Sequence, residues 1–146
     1  RPDARGPVVG LTQFVTKAHL ARAVLEATAF QTRDVTEAGE ADAGAPLRAL
    51  NVDGGMTANH LLMQFLADIL GVEVVRPEVV ETTALGAAYA AGLAVGFWED
   101  LDELREQWQE GHRWRPTMAR AEAERHYRNW KKAVARSLDW VDDDVV

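Results

Sequence analysis

The feature that most constrains this chain is a change of period across one short stretch. LRAL at 47–50 reads as a strand, whereas HLLMQFLADIL at 60–70 repeats at three and four residues, as an amphipathic helix does. Between them lies NVDGGMTAN, residues 51–59, with adjacent glycines at 54 and 55. A turn explains one glycine. Two in a row, followed by Asn59, point to a joint where something approaches the backbone closely.

The flanking segments extend the alternation. Val8, Val9 and Leu11 read as a first strand ending near Gly10. Thr16 is placed to cap a helix over 17–38, with Leu20, Ala23, Val24, Ala27, Phe30 and Gln31 on one face and Ala38-Gly39 as its stop. EADAGAP (40–46) reads as a loop and 47–52 as a second strand. The helix at 60–70 carries a stripe of Leu61, Leu62, Phe65, Leu66, Ile69 and Leu70, and Gly71 ends it. Val72, Val74 and Val75 form a third strand closed by Arg76-Pro77.

Thr82 or Thr83 caps TALGAAYAAGLAVG (83–96), a helix of small residues that lets another backbone come close, as at a domain interface. EDLDELREQW (99–108) reads as an acidic amphipathic helix with Leu101, Leu104 and Trp108 on its apolar face. GHRWRP (111–116) is a connection. A longer helix over 119–140 buries Tyr127, Trp130, Val134 and Leu138, and VDDDVV is a solvated tail. Strands alternating with helices predict an α/β domain with helices packed on a small mixed sheet. Three strands are few, so the sheet is expected to be completed from outside this chain. RPDARG, with no methionine, reads as a cut inside a longer polypeptide.

Composition bounds the function. A chain of 146 residues suits one domain and buries about two-thirds of its unfolded surface. A net charge of −7 argues against nucleic-acid or anionic-membrane partners, which need clustered Lys and Arg. Without cysteine there is no disulfide framework and no thiolate metal site. No apolar run approaches a membrane span, and the expected location is the cytoplasm.

The joint at Gly54-Gly55 has a direct chemical use. A helix N-terminus at the carboxyl end of a strand offers free N–H groups and a positive dipole end to a phosphate, and glycines let a base or ribose lie on the backbone. Asn59, read as lying in the first helical turn, can donate to and accept from a nucleotide. On the glycines alone, a tight turn with Gly54 or Gly55 at positive φ, and Asn59 as a solvated helix residue, is the simpler reading and the favoured one. No Lys-Ser/Thr follows them as in a P-loop, and the spacing is not GxGxxG. Asp53 is a candidate base or metal ligand, but an aspartate at a strand end more often bonds turn amides. Glu26 and Gln31 fit solvated or packed roles. His19, His60, His112 and His126 lack metal-ligand spacing, Ser137 has no His–Asp partner, and the tryptophans sit at core positions. No complete catalytic set can be assembled.

The run NVDGGMTANHLLMQFLADILGVEVVRPEVVETTALGAAYAAGLAVGFW resembles the C-terminal domain of the glycerol kinases, carbohydrate kinases with a ribonuclease-H-like, actin-like ATPase fold. The upstream ARGPVVGLT and HLARAVLEATAFQTRDV resemble the second signature of that superfamily, and RHYRNWKKAVARSLDW the end of glycerol kinases. One departure is Phe14, where the signature usually has glycine.

The resemblance implies that residues 1–146 are a single C-terminal kinase domain, the nucleotide-binding half of a longer chain, with 99–146 as its helical extension. It implies ATP contacts at Gly55 and Asn59 with Gly54 adjacent, and use of ATP/ADP with Mg2+ held mainly outside this chain. The small-residue helix would pack at the hinge between two halves. Glycerol would bind through a missing N-terminal region that also supplies the catalytic base, and the full-length protein would be a homo-oligomer. The alternatives are another polyol or sugar kinase, or a free-standing nucleotide-binding module without turnover.

Overall fold

The computed structural model describes residues 4–139. Helix α1 (Lys17–Ala43) leads to strand β1 (Ala49–Asn51), a 3-10 turn (Gly55–Ala58) and helix α2 (His60–Leu70). Strand β2 (Glu73–Pro77), helices α3 (Thr82–Ala94) and α4 (Leu101–Glu106), strand β3 (Glu110–Trp114) and helix α5 (Arg120–Ala135) complete the order. The sheet is mixed, in the order β1-β2-β3. β1 and β2 are parallel, with Leu50 opposite Val74, and are joined through α2. β3 runs antiparallel to β2, with Trp114 opposite Val74 and His112 opposite Arg76.

α2 is the centre of the molecule because its apolar stripe is wide enough to bury on two sides. Leu62, Met63, Phe65, Leu66, Ala67 and Ile69 are all buried, against Val74 and Trp114 of the sheet and against Ala29, Phe30, Ala123 and Tyr127 of α1 and α5. The Phe30 ring meets Phe65 edge-on at 5.5 Å and stacks on Trp130, also at 5.5 Å. Polar bonds then fix the helix pair. Asp34 accepts from Tyr127 Oη (2.5 Å), Trp130 Nε1 (2.7 Å) and Lys131 Nζ (3.0 Å). Burial pushes the Asp34 carboxyl up, but those three donors outweigh it and hold it below its ordinary value. Tyr127 is raised by burial and by the acceptors Asp34 and Glu37. Arg33, 5% exposed, lies over the Tyr127 ring and donates to Glu37, Glu124 and the Ile69 carbonyl.

Several expectations are corrected. No strand forms at 8–11: Val8, Val9 and Leu11 are exposed, and no ladder partner lies beside them among the described residues. α1 does not stop at Ala38-Gly39 but runs to Ala43, so most of 40–46 is helix rather than loop. One interior glycine costs a helix only about 1 kcal/mol, whereas Gly44 at φ 65° takes the left-handed cap and donates to Glu40 O.

The supposed connection at 111–116 contains β3, so 99–146 is not a purely helical extension but contributes an edge strand. Charge conceals that strand in the sequence: Arg113 pairs with Glu73 and Glu110, and Arg115 with Glu73 (2.9 Å). α4 is shorter than 99–108, starting where Asp100 Oδ1 accepts from Asp102 N and Glu103 N. Of its supposed apolar face only Leu104 is buried, while Leu101 and Trp108 are exposed. α3 is mostly exposed, and only Gly92 is buried, beneath the Trp98 ring. α5 ends at Ala135; the remainder of the stretch to 140, and the tail beyond it, lie partly outside the described residues.

Candidate functional site

The site is the joint between β1 and α2. Its shape follows from a few bonds. Val52 N donates to Val75 O (2.9 Å), carrying the β1–β2 ladder one residue past β1, and Gly54 N donates to Val80 O (3.1 Å). Gly54 has φ 80° and ψ 174°, a region essentially restricted to glycine. The chain then tightens into one 3-10 turn. Buried Thr57 closes it, with its N–H and its hydroxyl both donating to Gly54 O (3.1 and 2.7 Å). Arg76 Nη1, from β2, donates to Thr57 O (2.9 Å).

Gly55 differs from Gly54. Its φ lies outside the left-handed region, and a Cβ built on it meets nothing within 4 Å. The turn therefore requires glycine at 54 and not at 55. Beside Gly55 an open hollow of about 380 Å³ is lined by Leu25, Gly55, Met56, Ala58, Asn59 and Leu62. Asn59 is not in the first helical turn, as its spacing suggested, but is the N-cap of α2, where its Oδ1 accepts from Leu62 N (3.1 Å). Its Nδ2 has no partner among the described residues and its side chain is exposed. Gly54, Gly55 and Asn59 are thus brought together around one hollow. Leu25, on α1, and Met56 also line it; the sequence marks neither, since apolar residues at those spacings look like core.

The other candidates fall elsewhere. Glu26 pairs with Arg22 on its own helix (2.6 Å), and Gln31 and Asp53 are exposed. His19 Nδ1 accepts from Thr16 N (3.1 Å) and so caps α1, and Ser137 donates to Val134 O (2.7 Å). Among the described residues no group of three or more His, Asp or Glu side chains is arranged to hold a metal ion. A larger groove of about 710 Å³ lies between the end of β2, α3 and α4, but none of the residues singled out at the glycine joint lines it.

The parallel β1–β2 pair joined through α2 thus presents a glycine turn that opens on a hollow at the carboxyl end of β1. The chain belongs to the FGGY family of carbohydrate kinases and matches its C-terminal domain over residues 1–95. Within that family the likeness is to glycerol kinases. The chain is 70% identical to the glycerol kinase of Clavibacter michiganensis subsp. michiganensis over 145 residues, 99% of this chain and 29% of that protein. It is 67% identical to the glycerol kinase of Pseudarthrobacter chlorophenolicus over the same shares. Its structure is similar to that of Plasmodium falciparum glycerol kinase with ADP (TM-score 0.85, 34% identity, covering 97% of this chain and 28% of that one). Xylulose kinase from Rhodospirillum rubrum is also similar (TM-score 0.71, 29% identity, 88% of this chain and 26% of that one). The chain therefore spans about 29% of the length of the curated relatives it matches.

Proposed function

We propose that the chain is the nucleotide-binding C-terminal part of a kinase that transfers the γ-phosphoryl group of ATP to glycerol, giving sn-glycerol 3-phosphate and ADP. The observation that carries the reading is Gly55. Nothing in the fold requires a glycine there, and the space a side chain would take opens on the hollow beside Asn59. A ligand lying against the backbone supplies the missing reason. Gly54 sets the turn, Gly55 leaves room for the nucleotide, and Asn59 donates through Nδ2 while Oδ1 caps α2.

Glycerol as acceptor is supported by 70% identity to a glycerol kinase over 99% of this chain, and among solved structures by a TM-score of 0.85 to a glycerol kinase against 0.71 to a xylulose kinase. On the likeness to glycerol kinases, the Mg2+ ligands, the base and the glycerol pocket are assigned to the remainder of the full-length kinase, which closes on the nucleotide to exclude water. We place residues 1–146 in a single domain of a cytoplasmic, homo-oligomeric enzyme with no nucleic-acid or membrane partner. No helix among the described residues is long and apolar enough to cross a membrane.

The test is nucleotide titration of the full-length kinase by calorimetry. Gly55→Val should weaken ATP binding by about tenfold or more, because a branched side chain occupies the ligand's space. Asn59→Ser keeps a capping oxygen but removes the Nδ2 donor, and should weaken ATP by several-fold, the worth of about one hydrogen bond, with the melting temperature unchanged. Glycerol affinity should hold in both. A folded Gly55→Val enzyme that binds ATP like the parent refutes the proposal.

A further inference from the structure

The glycine turn is not held by its own bonds alone. Four residues of 3-10 helix make a weak element, and Gly54 sits in a conformation that a free chain visits as one of many. Its outermost support is Arg76, one strand away. Arg76 Nη1 reaches Thr57 O at 2.9 Å, and its guanidinium lies 5.6 Å from the centre of the Trp114 ring, which is itself buried. β3 thus supplies the shelf on which Arg76 rests, and Arg76 passes that position to the turn.

Arg76 is poorly explained as a packing residue. Its Nε is buried with no hydrogen-bond partner, and an N–H left unpaired inside a protein destabilises it. An apolar side chain beside Val74 and Trp114 would fill the same layer without that cost. The hydrogen bond the side chain does make leads to the turn, at a carbonyl whose residue is 3% exposed and bonded twice to Gly54 O. Because a peptide unit is planar, fixing the Thr57 carbonyl fixes the plane shared with Ala58. Gly55 precedes that peptide by one intervening residue and Asn59 follows it directly, and with Ala58 they line the hollow.

We infer that Arg76 and Thr57 are positioning residues for nucleotide binding: they hold Gly55 and Asn59 in register for the ligand without touching it themselves. This rests on the nucleotide reading of the turn. It predicts a split between substrates. A turn that has lost its anchor must be ordered by ATP at the moment of binding, which lowers affinity for the nucleotide and for nothing else.

The experiment is steady-state kinetics on the full-length kinase carrying Arg76→Leu, Arg76→Lys or Thr57→Val, with Gly55→Val as reference and melting curves alongside. Arg76→Leu should raise KM for ATP about tenfold, the loss expected of a hydrogen bond from a charged donor. Its kcat and its KM for glycerol should stay within about twofold of the parent. Arg76→Lys keeps a charged donor and should recover most of the loss, and Thr57→Val, which removes the hydroxyl bond to Gly54 O, should shift KM for ATP in the same direction. If Arg76→Leu does not fold, Arg76→Lys and Thr57→Val decide. A lowered melting temperature with an unchanged KM for ATP in the folded variants marks a merely structural role and overturns the inference. If these variants keep the parent's KM while Gly55→Val loses ATP, the inference fails and the nucleotide reading stands. If Gly55→Val also binds ATP normally, both fail.

Discussion

Asp34 is the polar pin between α1 and α5, and replacing it with alanine measures how much of the domain depends on that pin. The carboxylate accepts three bonds. The one from Lys131 is a pair with an exposed lysine, worth under about 1 kcal/mol. Tyr127 Oη keeps a second acceptor, Glu37 Oε2 at 2.9 Å, so its loss is partial. Trp130 Nε1 is part-buried and has no other acceptor among the described residues, and leaving such a donor unpaired costs about 1–3 kcal/mol. Alanine also removes the carboxylate's own desolvation cost, so the net loss comes to about 2–3 kcal/mol, or a fall of about 4–12 °C in Tm for a domain of this size.

Urea unfolding followed by tryptophan fluorescence reads the difference directly. The pH dependence gives a second check. Because the folded carboxyl lies below its ordinary value of 3.8, its contribution is complete above that value and disappears as pH falls through the folded value. The gap between parent and variant should therefore be constant near neutrality and close only below about pH 4. Asp34→Asn, which still accepts but carries no charge, should fall between the two. A loss below about 0.5 kcal/mol would show that the Phe30–Trp130 stack and Tyr127 burial hold α5 by themselves, and a gap that does not narrow in acid would refute the role given to the ionised carboxylate.

Two further predictions separate close neighbours. Gly54→Ala should destabilise the domain by about 1–3 kcal/mol through backbone strain, while Gly55→Ala should be neutral or stabilising by up to about 1 kcal/mol; thermal melts of both variants check this, and equal losses would refute the distinction. Gly92→Val should unseat Trp98, because a Cβ there would lie 2.1 Å from Cζ3 of that ring. Near-UV circular dichroism should show the loss of the Trp98–Tyr89 edge contact (5.1 Å), and an unchanged spectrum would refute it.

What the sequence made legible follows from local physics. The α2 helix and its Gly71 stop stand as read, because a three- and four-residue repeat ending in a left-handed glycine is decided within the segment itself. Of the stripe, Leu62, Phe65, Leu66 and Ile69 are buried, whereas Leu61 is exposed and Met63 and Ala67 are buried in addition. The glycine joint was legible in position and only half legible in detail. Its residues could be named, but which glycine strains the backbone depends on Val80 and Thr57, and whether Asn59 caps or precedes the helix depends on one residue of boundary. Long-range pairing hid the rest. β3 alternates as His112-Arg113-Trp114-Arg115, a faint period-two signal masked by charge, and those charges have a purpose only once Glu73 lies alongside. Val8, Val9 and Leu11 carry the same kind of signal with no partner strand among the described residues, and the signal alone does not make a strand. Arg76 was read only as a strand terminator, since its bond to Thr57 crosses nineteen positions of sequence.

The mixed sheet also has a polarity in how it can grow. Each β1 residue that pairs does so on one side only, toward β2, and among the described residues nothing continues the ladder beyond β1. The opposite border, β3, is fenced by Arg113, Glu110 and Arg115, whose paired charges discourage a further backbone from docking there. β1 carries no such fence: Ala49, Leu50 and Asn51 present neither charge nor proline. The two borders therefore differ: one is fenced by paired charge, and the other, without charge or proline, is β1, the strand that leads into the glycine turn.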